Sequence, residues 1–199
     1  TVHPFDPWGS KIGGIETLIR TMLCHAPEDF GMEVAGVTEH PVERPARRRQ
    51  SYPFCDREIR FYPVFTVKNP NRRTRFPLFL QFPLRLRFTR LDLRETVAVY
   101  HRIEPLYLSP SPARANILFI HGHPREITGP TSEVRWRHVP RLYQAVEARA
   151  IRRADRIFVI SRAGTAWLQE RYPEKKDCIS FLETWYNDAV FQLAAEGER

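Results

Sequence analysis

The sequence predicts an α/β protein with an open, mostly parallel, Rossmann-like sheet and helices on both faces. Residues 157–161 form an apolar, β-branched-rich run with no polar face, which is typical of a strand buried inside a parallel sheet. Before this run, apolar residues recur at three- and four-residue spacing from Val139 to Ile151, which predicts an amphipathic helix. After it, the Ser161 hydroxyl can accept hydrogen bonds from the first N–H groups of another helix. Helix, buried strand and helix in succession indicate a parallel α/β sheet.

Six further segments predict strands of the same sheet, because each is short, apolar and bounded by turn residues. The segment at the start of the chain reads as the end of a first strand. A helix is predicted from Ile15 to Leu23, where apolar residues repeat with helical spacing. Loops are predicted at 41–58, which is rich in proline, arginine and glutamate, and at 125–136. The six strand segments are 1–4, 32–38, 59–67, 96–100, 116–120 and 178–182.

The most unusual composition lies at residues 71–94, which contain seven arginines and one acid, Asp92, for a net charge of +6 (7 − 1 = 6). Leucine and phenylalanine are interleaved with these arginines, and we predict a helix kinked at Pro83. A basic amphipathic helix can attach to an anionic membrane surface. The alternative is a crossover helix that packs on the sheet and leaves its arginines in solvent. The candidate membrane contacts are Arg85, Arg87 and Arg90.

The whole chain is basic, with 31 Lys and Arg against 23 Asp and Glu and a net charge of +8. Nucleic acid, anionic lipid and a diphosphate ligand all match this sign, so charge alone does not rank them. The cysteines Cys24, Cys55 and Cys178 are far apart, and neither a CxxC pair nor a histidine cluster at metal spacing is present. We therefore expect reduced thiols, a cytoplasmic protein and no metal site. No signal peptide is recognisable, and no apolar run approaches the roughly 20 residues that span a bilayer.

Ionisable side chains follow two predicted strands at the point where each strand ends. His101 and Arg102 come after one strand, and His121 and His123 after the next. Ligands of open α/β sheets bind beyond the carboxyl ends of the strands. At the same edge, the Gly13–Gly14 turn opens a helix whose free N–H groups and positive dipole end favour an anion. A single such residue is more often an ordinary loop residue, but several on one edge indicate a ligand site.

Four segments, in this order and spacing, resemble glycosyltransferase family 4. The resemblance is to the N-terminal, acceptor-side domain of the GT-B fold and covers nearly the whole chain. It implies that residues 1–191 form this domain with a truncated first strand, that 192–199 begin the interdomain linker, and that the C-terminal donor domain lies outside the sequence. The segments are Gly13-Gly14-Ile15-Glu16, Phe119-Ile120-His121, residues 154–161 and the end segment with Val190-Phe191.

The resemblance implies a retaining hexosyltransferase that moves a sugar from a nucleotide diphosphate donor to a glycan or lipid-linked acceptor, without a metal or another cofactor. Family members use the Gly-Gly turn near the donor phosphates and sugar, and the histidine after the fifth strand against the donor sugar. These roles fall on Gly13, Gly14 and His121, with His121 as the catalytic residue. The candidate acceptor contacts are His101, Arg102 and His123.

Two other classes of protein remain open. A non-catalytic basic α/β module that binds nucleic acid or anionic lipid also fits the charge, and it would lack a second Rossmann-like domain with paired glutamates. A dinucleotide oxidoreductase is disfavoured because GxGxxG and an acid about 20 residues further on are missing. The end segment departs from the family, since Glu183-Thr184-Trp185 stands where relatives carry Pro-Asn-Gly. For the transferase we expect peripheral attachment to the inner membrane face and no nucleic acid partner.

Overall fold

The computed structural model describes residues 1–72, 76–122 and 135–183. His123, most of the predicted 125–136 loop and everything from residue 184 onward, including Val190-Phe191 and the expected linker, lie outside these residues. The strands are β1 (Glu33–Thr38), β2 (Gln50–Phe54), β3 (Arg57–Thr66), β4 (Val97–Tyr100), β5 (Ala115–Ile120), β6 (Arg156–Val159) and β7 (Ile179–Phe181). The helices are α1 (Gly14–His25), α2 (Leu78–Arg87), α3 (Ile103–Tyr107), α4 (Pro140–Arg153) and α5 (Arg162–Arg171), with 3-10 turns at Arg135–His138 and Pro173–Cys178.

The strands form two hydrogen-bonded groups that one N-terminal residue joins. The order β4-β5-β6-β7 is parallel throughout, whereas in β2-β3-β1 the strand β2 is antiparallel to β3. Between the groups, Val2 forms parallel bridges to Ala35 of β1 and Tyr100 of β4, and its N–H donates to the Val99 carbonyl at 2.8 Å. The parallel part, flanked by helices, is compatible with a Rossmann-like fold, and the other part is mixed.

Helices cover both faces of the sheet, as predicted. Alternate side chains of a strand point to opposite faces. Val34 of β1 belongs to a buried cluster with Ile19 of α1, whereas its neighbour Ala35 belongs to a second cluster with Phe82 and Leu86 of α2. The first helix therefore lies on one face and α2 on the other.

The prediction of a loop over residues 41–58 is wrong in its second half. Strand β2 lies there and pairs with β3 through a tight turn at Cys55, whose φ is 53°. Most β2 side chains are exposed or half-buried, because this strand is at the edge of the sheet. An edge strand needs little apolar sequence and tolerates proline, here Pro53, so its composition resembles that of a loop.

All four predicted helices are present, as α1, α2, α4 and α5, and one helix, α3, was not predicted. The segment around Pro83 is helical, and the Ser161 side chain caps α5 by accepting from the Gly164 N–H at 3.2 Å. The short helix α3 lies in a proline-containing stretch for which no helix was predicted. Its Pro105 is in the first turn, where proline is compatible with helical geometry.

The end of α1 is fixed to the β2–β3 turn. Cys24 of α1 and Cys55 form a disulfide across 31 residues, whereas Cys178 is a free thiol. The expectation of reduced thiols is therefore wrong for Cys24 and Cys55, because wide separation in sequence does not keep two cysteines apart in a fold. Beside the disulfide, the Arg57 guanidinium donates to the carbonyls of Ala26, Pro27 and Phe30 at 2.6–3.1 Å.

Candidate functional site at the carboxyl edge of the sheet

Two histidines meet where β4 and β5 end. These strands are parallel neighbours, so the first residue after each one emerges at the same edge of the sheet. His101 Nδ1 and His121 Nε2 are 3.0 Å apart, and the two ring planes are 25° apart in angle with centroids separated by 5.2 Å. Phe119 of β5 stacks on His101 with a centroid distance of 5.1 Å. The geometry makes the histidines a hydrogen-bonded pair.

The two histidines differ in exposure but are both uncharged near neutral pH. His101 is only 3% exposed, and its Nε2 atom is buried without a hydrogen-bond partner. Burial lowers the pKa of His101 well below its usual value, and the neighbouring His3 and His121 lower it further. His121 is half-buried, and burial together with the Arg102 charge lowers its pKa to about 4. Both rings are therefore neutral imidazoles, able to donate one hydrogen bond and accept one.

A third histidine extends the pair toward the start of α1. His3 follows Val2, and its ring stands edge-on to His101 with centroids 5.9 Å apart. Its Nε2 atom lies 3.3 Å from the Glu16 carboxylate, which also receives the Lys11 ammonium at 2.6 Å. Burial lowers the pKa of His3 to about 4, although the Glu16 contact partly offsets this. We call His3, His101 and His121 the histidine row.

The Gly13–Gly14 turn has the Glu16 carboxylate beside Gly13 and open space beside Gly14. A Cβ atom on Gly13 would collide with the Glu16 carboxylate, so glycine is required for that side chain to fold over the turn. Burial raises the pKa of Glu16, but contacts with His3 and Lys11 outweigh burial and hold the pKa well below its usual value. A Cβ atom on Gly14 would meet nothing within 4 Å. The N-terminus of α1 therefore has room for a ligand beside Gly14.

The loop before this turn is held by Arg20 of α1. The Arg20 guanidinium donates to the carbonyls of Pro7 at 2.9 Å, Gly9 at 3.0 Å and Lys11 at 3.0 Å. Because the Arg20 contacts lie within the chain, the turn has a defined position without any ligand.

A cavity of about 230 Å³ connects α1 with the two strand ends. Arg102 lies at its wall and forms a salt bridge with Glu104 at 3.0 Å. Glu104 also accepts a hydrogen bond from the Trp136 indole N–H at 2.9 Å. Both partners therefore satisfy this buried carboxylate. The residues that line the cavity include Ile15, Arg102, Glu104, His121, Trp136 and Tyr143.

A larger cavity of about 1040 Å³ lies at the opposite end of the strands. It is bordered by the end of α1 and by the starts of β1 and β4, and none of the predicted site residues that the structure describes lines it. The size of this cavity alone does not indicate a catalytic or binding site. We therefore assign the candidate site to the smaller cavity, where the ionisable groups converge.

The structure brings several predicted site residues together. His101, Arg102 and His121 line the smaller cavity, and the Gly13–Gly14 turn directly precedes Ile15, which also lines it. His101 is buried, and its ring contacts His121 rather than solvent. The membrane candidates Arg85, Arg87 and Arg90 are exposed on or just after α2.

Sequence reasoning missed three contributors to the site. His3 falls inside the predicted strand segment 1–4, whereas in the structure it directly follows Val2, the residue that bridges to β1 and β4. The rule that identified His101 and His121 would have identified His3 only if that segment had been ended at Val2. Glu104 and Trp136 carry no such signal, because their indole–carboxylate bond joins positions 32 residues apart. Within residues 1–72, 76–122 and 135–183, no group of three or more His, Cys, Asp or Glu is arranged to hold a metal ion.

Comparison with known proteins adds no family assignment. No model of a known protein family matches the chain, and no curated protein is significantly similar to it. Among the described residues, no helix is long and apolar enough to cross a bilayer. Any conclusion about function therefore depends on the geometry of the site.

Proposed function

We propose that the chain is the acceptor-side domain of a retaining glycosyltransferase of the GT-B type, similar to glycosyltransferase family 4. In this proposal it helps transfer a sugar from a nucleotide diphosphate sugar to a glycan or lipid-linked acceptor. The observation that carries the proposal is the convergence, beside one cavity, of a glycine-opened helix N-terminus and the neutral His121 imidazole. A second domain, outside the sequence, would hold most of the nucleotide.

The start of α1 has the properties of a diphosphate contact. Its first N–H groups lack partners within the helix and carry the positive end of the helix dipole. The space beside Gly14 would let phosphate oxygens approach the backbone closely. Glu16 would oppose an anion there, but its charge is balanced by Lys11, whose ammonium lies 2.6 Å away.

The smaller cavity has the properties of a sugar contact. Its walls combine the aromatic side chains Trp136 and Tyr143 with the polar groups of Arg102 and His121. A neutral imidazole can hydrogen-bond to a sugar hydroxyl without carrying a charge into the site. The volume of about 230 Å³ is below the roughly 300 Å³ at which pockets for drug-sized ligands begin. This size suits one sugar ring better than an extended glycan.

Ligand titration tests the donor half of the proposal. We expect a nucleotide diphosphate sugar to bind the chain only weakly, with no sugar transfer, because most nucleotide contacts would lie in the second domain. In NMR spectra, the amide signals of residues 13–16 should shift. The Gly14→Val variant, which fills the open space, should abolish these shifts, whereas Gly31→Ala, at the other end of the strands, should retain them.

If isothermal titration showed that this chain alone binds a nucleotide diphosphate sugar with micromolar affinity, the assignment of most donor contacts to the second domain would be wrong. A panel of nucleotide diphosphate sugars that shifts none of these amides would contradict the proposal.

We further propose that α2 attaches the domain peripherally to an anionic membrane surface. Phe82 and Leu86 of α2 are buried, whereas Leu84 and Phe88, one helical turn apart, are 44% and 86% exposed. The crossover-helix alternative explains the buried side chains but gives no role to an exposed phenylalanine. The exposed arginines that surround these two side chains are Arg85, Arg87 and Arg90.

Liposome binding tests this attachment. Each arginine near an anionic surface contributes about 1 kcal/mol. The triple change of Arg85, Arg87 and Arg90 to Gln should therefore weaken binding by roughly 100-fold, and added salt should weaken binding by the wild-type chain. We expect this result in a sedimentation assay with vesicles that contain anionic lipid.

The matched control changes three exposed arginines elsewhere, Arg48, Arg149 and Arg152, to Gln, which removes the same charge. If this variant loses as much affinity as the α2 variant, only the net charge matters. Binding that is insensitive to salt, or no binding, would favour the crossover-helix alternative.

A further inference from the structure

We infer that His101 is a positioning residue that holds His121 with its proton on Nδ1, so that His121 offers the cavity a hydrogen-bond donor. The inference concerns the state of the imidazole and is independent of any ligand. It rests on the proposed function only for the statement that the group opposite His121 is a sugar oxygen.

The contact between the two rings contains a single proton. His101 Nδ1 and His121 Nε2 are 3.0 Å apart, which is a normal hydrogen-bond distance. Both rings are neutral near pH 7, since burial is the main reason that the pKa values of both are lowered. One nitrogen must therefore donate and the other accept. The direction of this bond decides which tautomer each ring adopts.

The buried Nε2 atom of His101 selects the direction. If His121 donated, the proton of neutral His101 would sit on Nε2, which would then be a buried N–H group without an acceptor. Buried N–H groups without partners are rarer in proteins than acceptors that lack a donor. If His101 donates from Nδ1, its Nε2 is only a bare lone pair against aromatic neighbours. We therefore assign the proton of the bond to His101 Nδ1.

The tautomer of His121 follows from this assignment. Its Nε2 atom accepts from His101, so its own proton is on Nδ1. Nδ1 is also the ring nitrogen left for a ligand, because the described residues provide it with no hydrogen bond. His121 therefore presents an N–H donor to the cavity, suited to a lone pair on a sugar oxygen, and in this state does not act as a base toward a hydroxyl.

The surroundings of His101 fit a positioning role. Its ring is stacked against Phe119 on one side and meets the edge of His3 on another, so the ring has little freedom to rotate. With 3% exposure it is shielded from solvent, and His121 lies between it and the ligand in the proposed arrangement.

Long-range ¹H–¹⁵N spectra of the imidazole groups test the inference in the chain without ligand at pH 7. We expect both His101 and His121 to be protonated on Nδ1, the minor tautomer of free histidine. In His101→Phe, which keeps an aromatic ring but removes the donor, His121 should revert to the form protonated on Nε2. In His101→Asn, whose amide N–H is near the original Nδ1 position, His121 should keep the proton on Nδ1.

The exposed His40→Gln variant is the control and should leave the His121 signals unchanged. A wild-type His121 protonated on Nε2 overturns the inference, and so does a His121 whose tautomer is the same in His101→Phe. If His101→Phe does not fold, the wild-type spectrum decides alone. Nucleotide sugar binding is measured separately, so a failure of the proposed function would not be mistaken for a failure of this inference.

Discussion

The change His121→Ala is expected to lower kcat/KM for sugar transfer by roughly 100-fold or more in the proposed transferase, with this domain joined to a donor domain. Such a loss corresponds to about 3 kcal/mol of transition-state stabilisation. The reason is the position of the ring, which follows β5 directly and borders the cavity with one nitrogen not engaged by His101. Steady-state kinetics with the nucleotide diphosphate sugar measure the effect.

A second variant separates chemistry from stability. His121→Ala leaves the buried Nδ1–H of His101 without an acceptor, which costs about 1–3 kcal/mol of folding free energy and lowers Tm by several degrees. In His121→Gln the amide oxygen can replace Nε2 as the acceptor, so Tm should be closer to that of the wild type. Its activity should still be low, because the Nδ1 donor is lost.

The outcome that contradicts the catalytic assignment is a His121→Gln enzyme with near-normal kcat/KM. His40→Ala, at an exposed position, is the control for nonspecific effects of removing an imidazole and should be fully active.

The second large effect is a loss of stability when the pH is lowered from about 6.5 toward 4. Burial lowers the pKa of His3 to about 4 and that of His101 well below its usual value. In the unfolded chain both histidines take up protons near pH 6.5, whereas in the folded protein they do not. The unfolded state then binds more protons, so the free energy of unfolding falls as the pH falls.

The slope should be on the order of 1.4 kcal/mol per pH unit for each fully buried histidine. The contribution of Glu16 has a different window, because its lowered pKa stabilises the fold above about pH 4.5 and this stabilisation is lost only at lower pH. Urea denaturation at pH 7.0, 5.5 and 4.5 measures the slope.

A variant distinguishes the histidine row from the rest of the chain. His101→Asn has no titrating group at this position, so its slope should be smaller than that of the wild type, whereas His40→Gln should keep the wild-type slope. Stability that is constant between pH 7.0 and 4.5 would mean that the folded protein protonates these histidines as readily as the unfolded chain does.

The elements that the sequence predicted well are those whose signal is local. Buried parallel strands such as 116–120 are short apolar runs, and the residue after such a run must lie at the carboxyl edge of the sheet. This reasoning places His101 and His121 at one edge from the sequence alone. It did not show that His101 would be buried behind His121, because burial depends on which strands become neighbours.

The elements that were missed depend on contacts between distant segments. Strand β2 exists because β3 offers a hydrogen-bonding edge, and its own side chains are too polar to indicate a strand. The disulfide between Cys24 and Cys55 needs α1 and the β2–β3 turn to meet, which the spacing of cysteines does not reveal. The contact of Glu104 with Trp136 likewise becomes visible only in the fold.

The central position of Val2 has a consequence for the folding pathway. Its two partners, Ala35 and Tyr100, follow it in sequence by 33 and 98 residues (35 − 2 and 100 − 2). Contacts between residues so far apart require long loops to close, and proteins rich in such contacts fold slowly. We expect β1–β3 and β4–β7 to form as separate nuclei that the N-terminal residues join late. His3 reaches His101 through that joining step, so the histidine row is assembled only when folding is nearly complete.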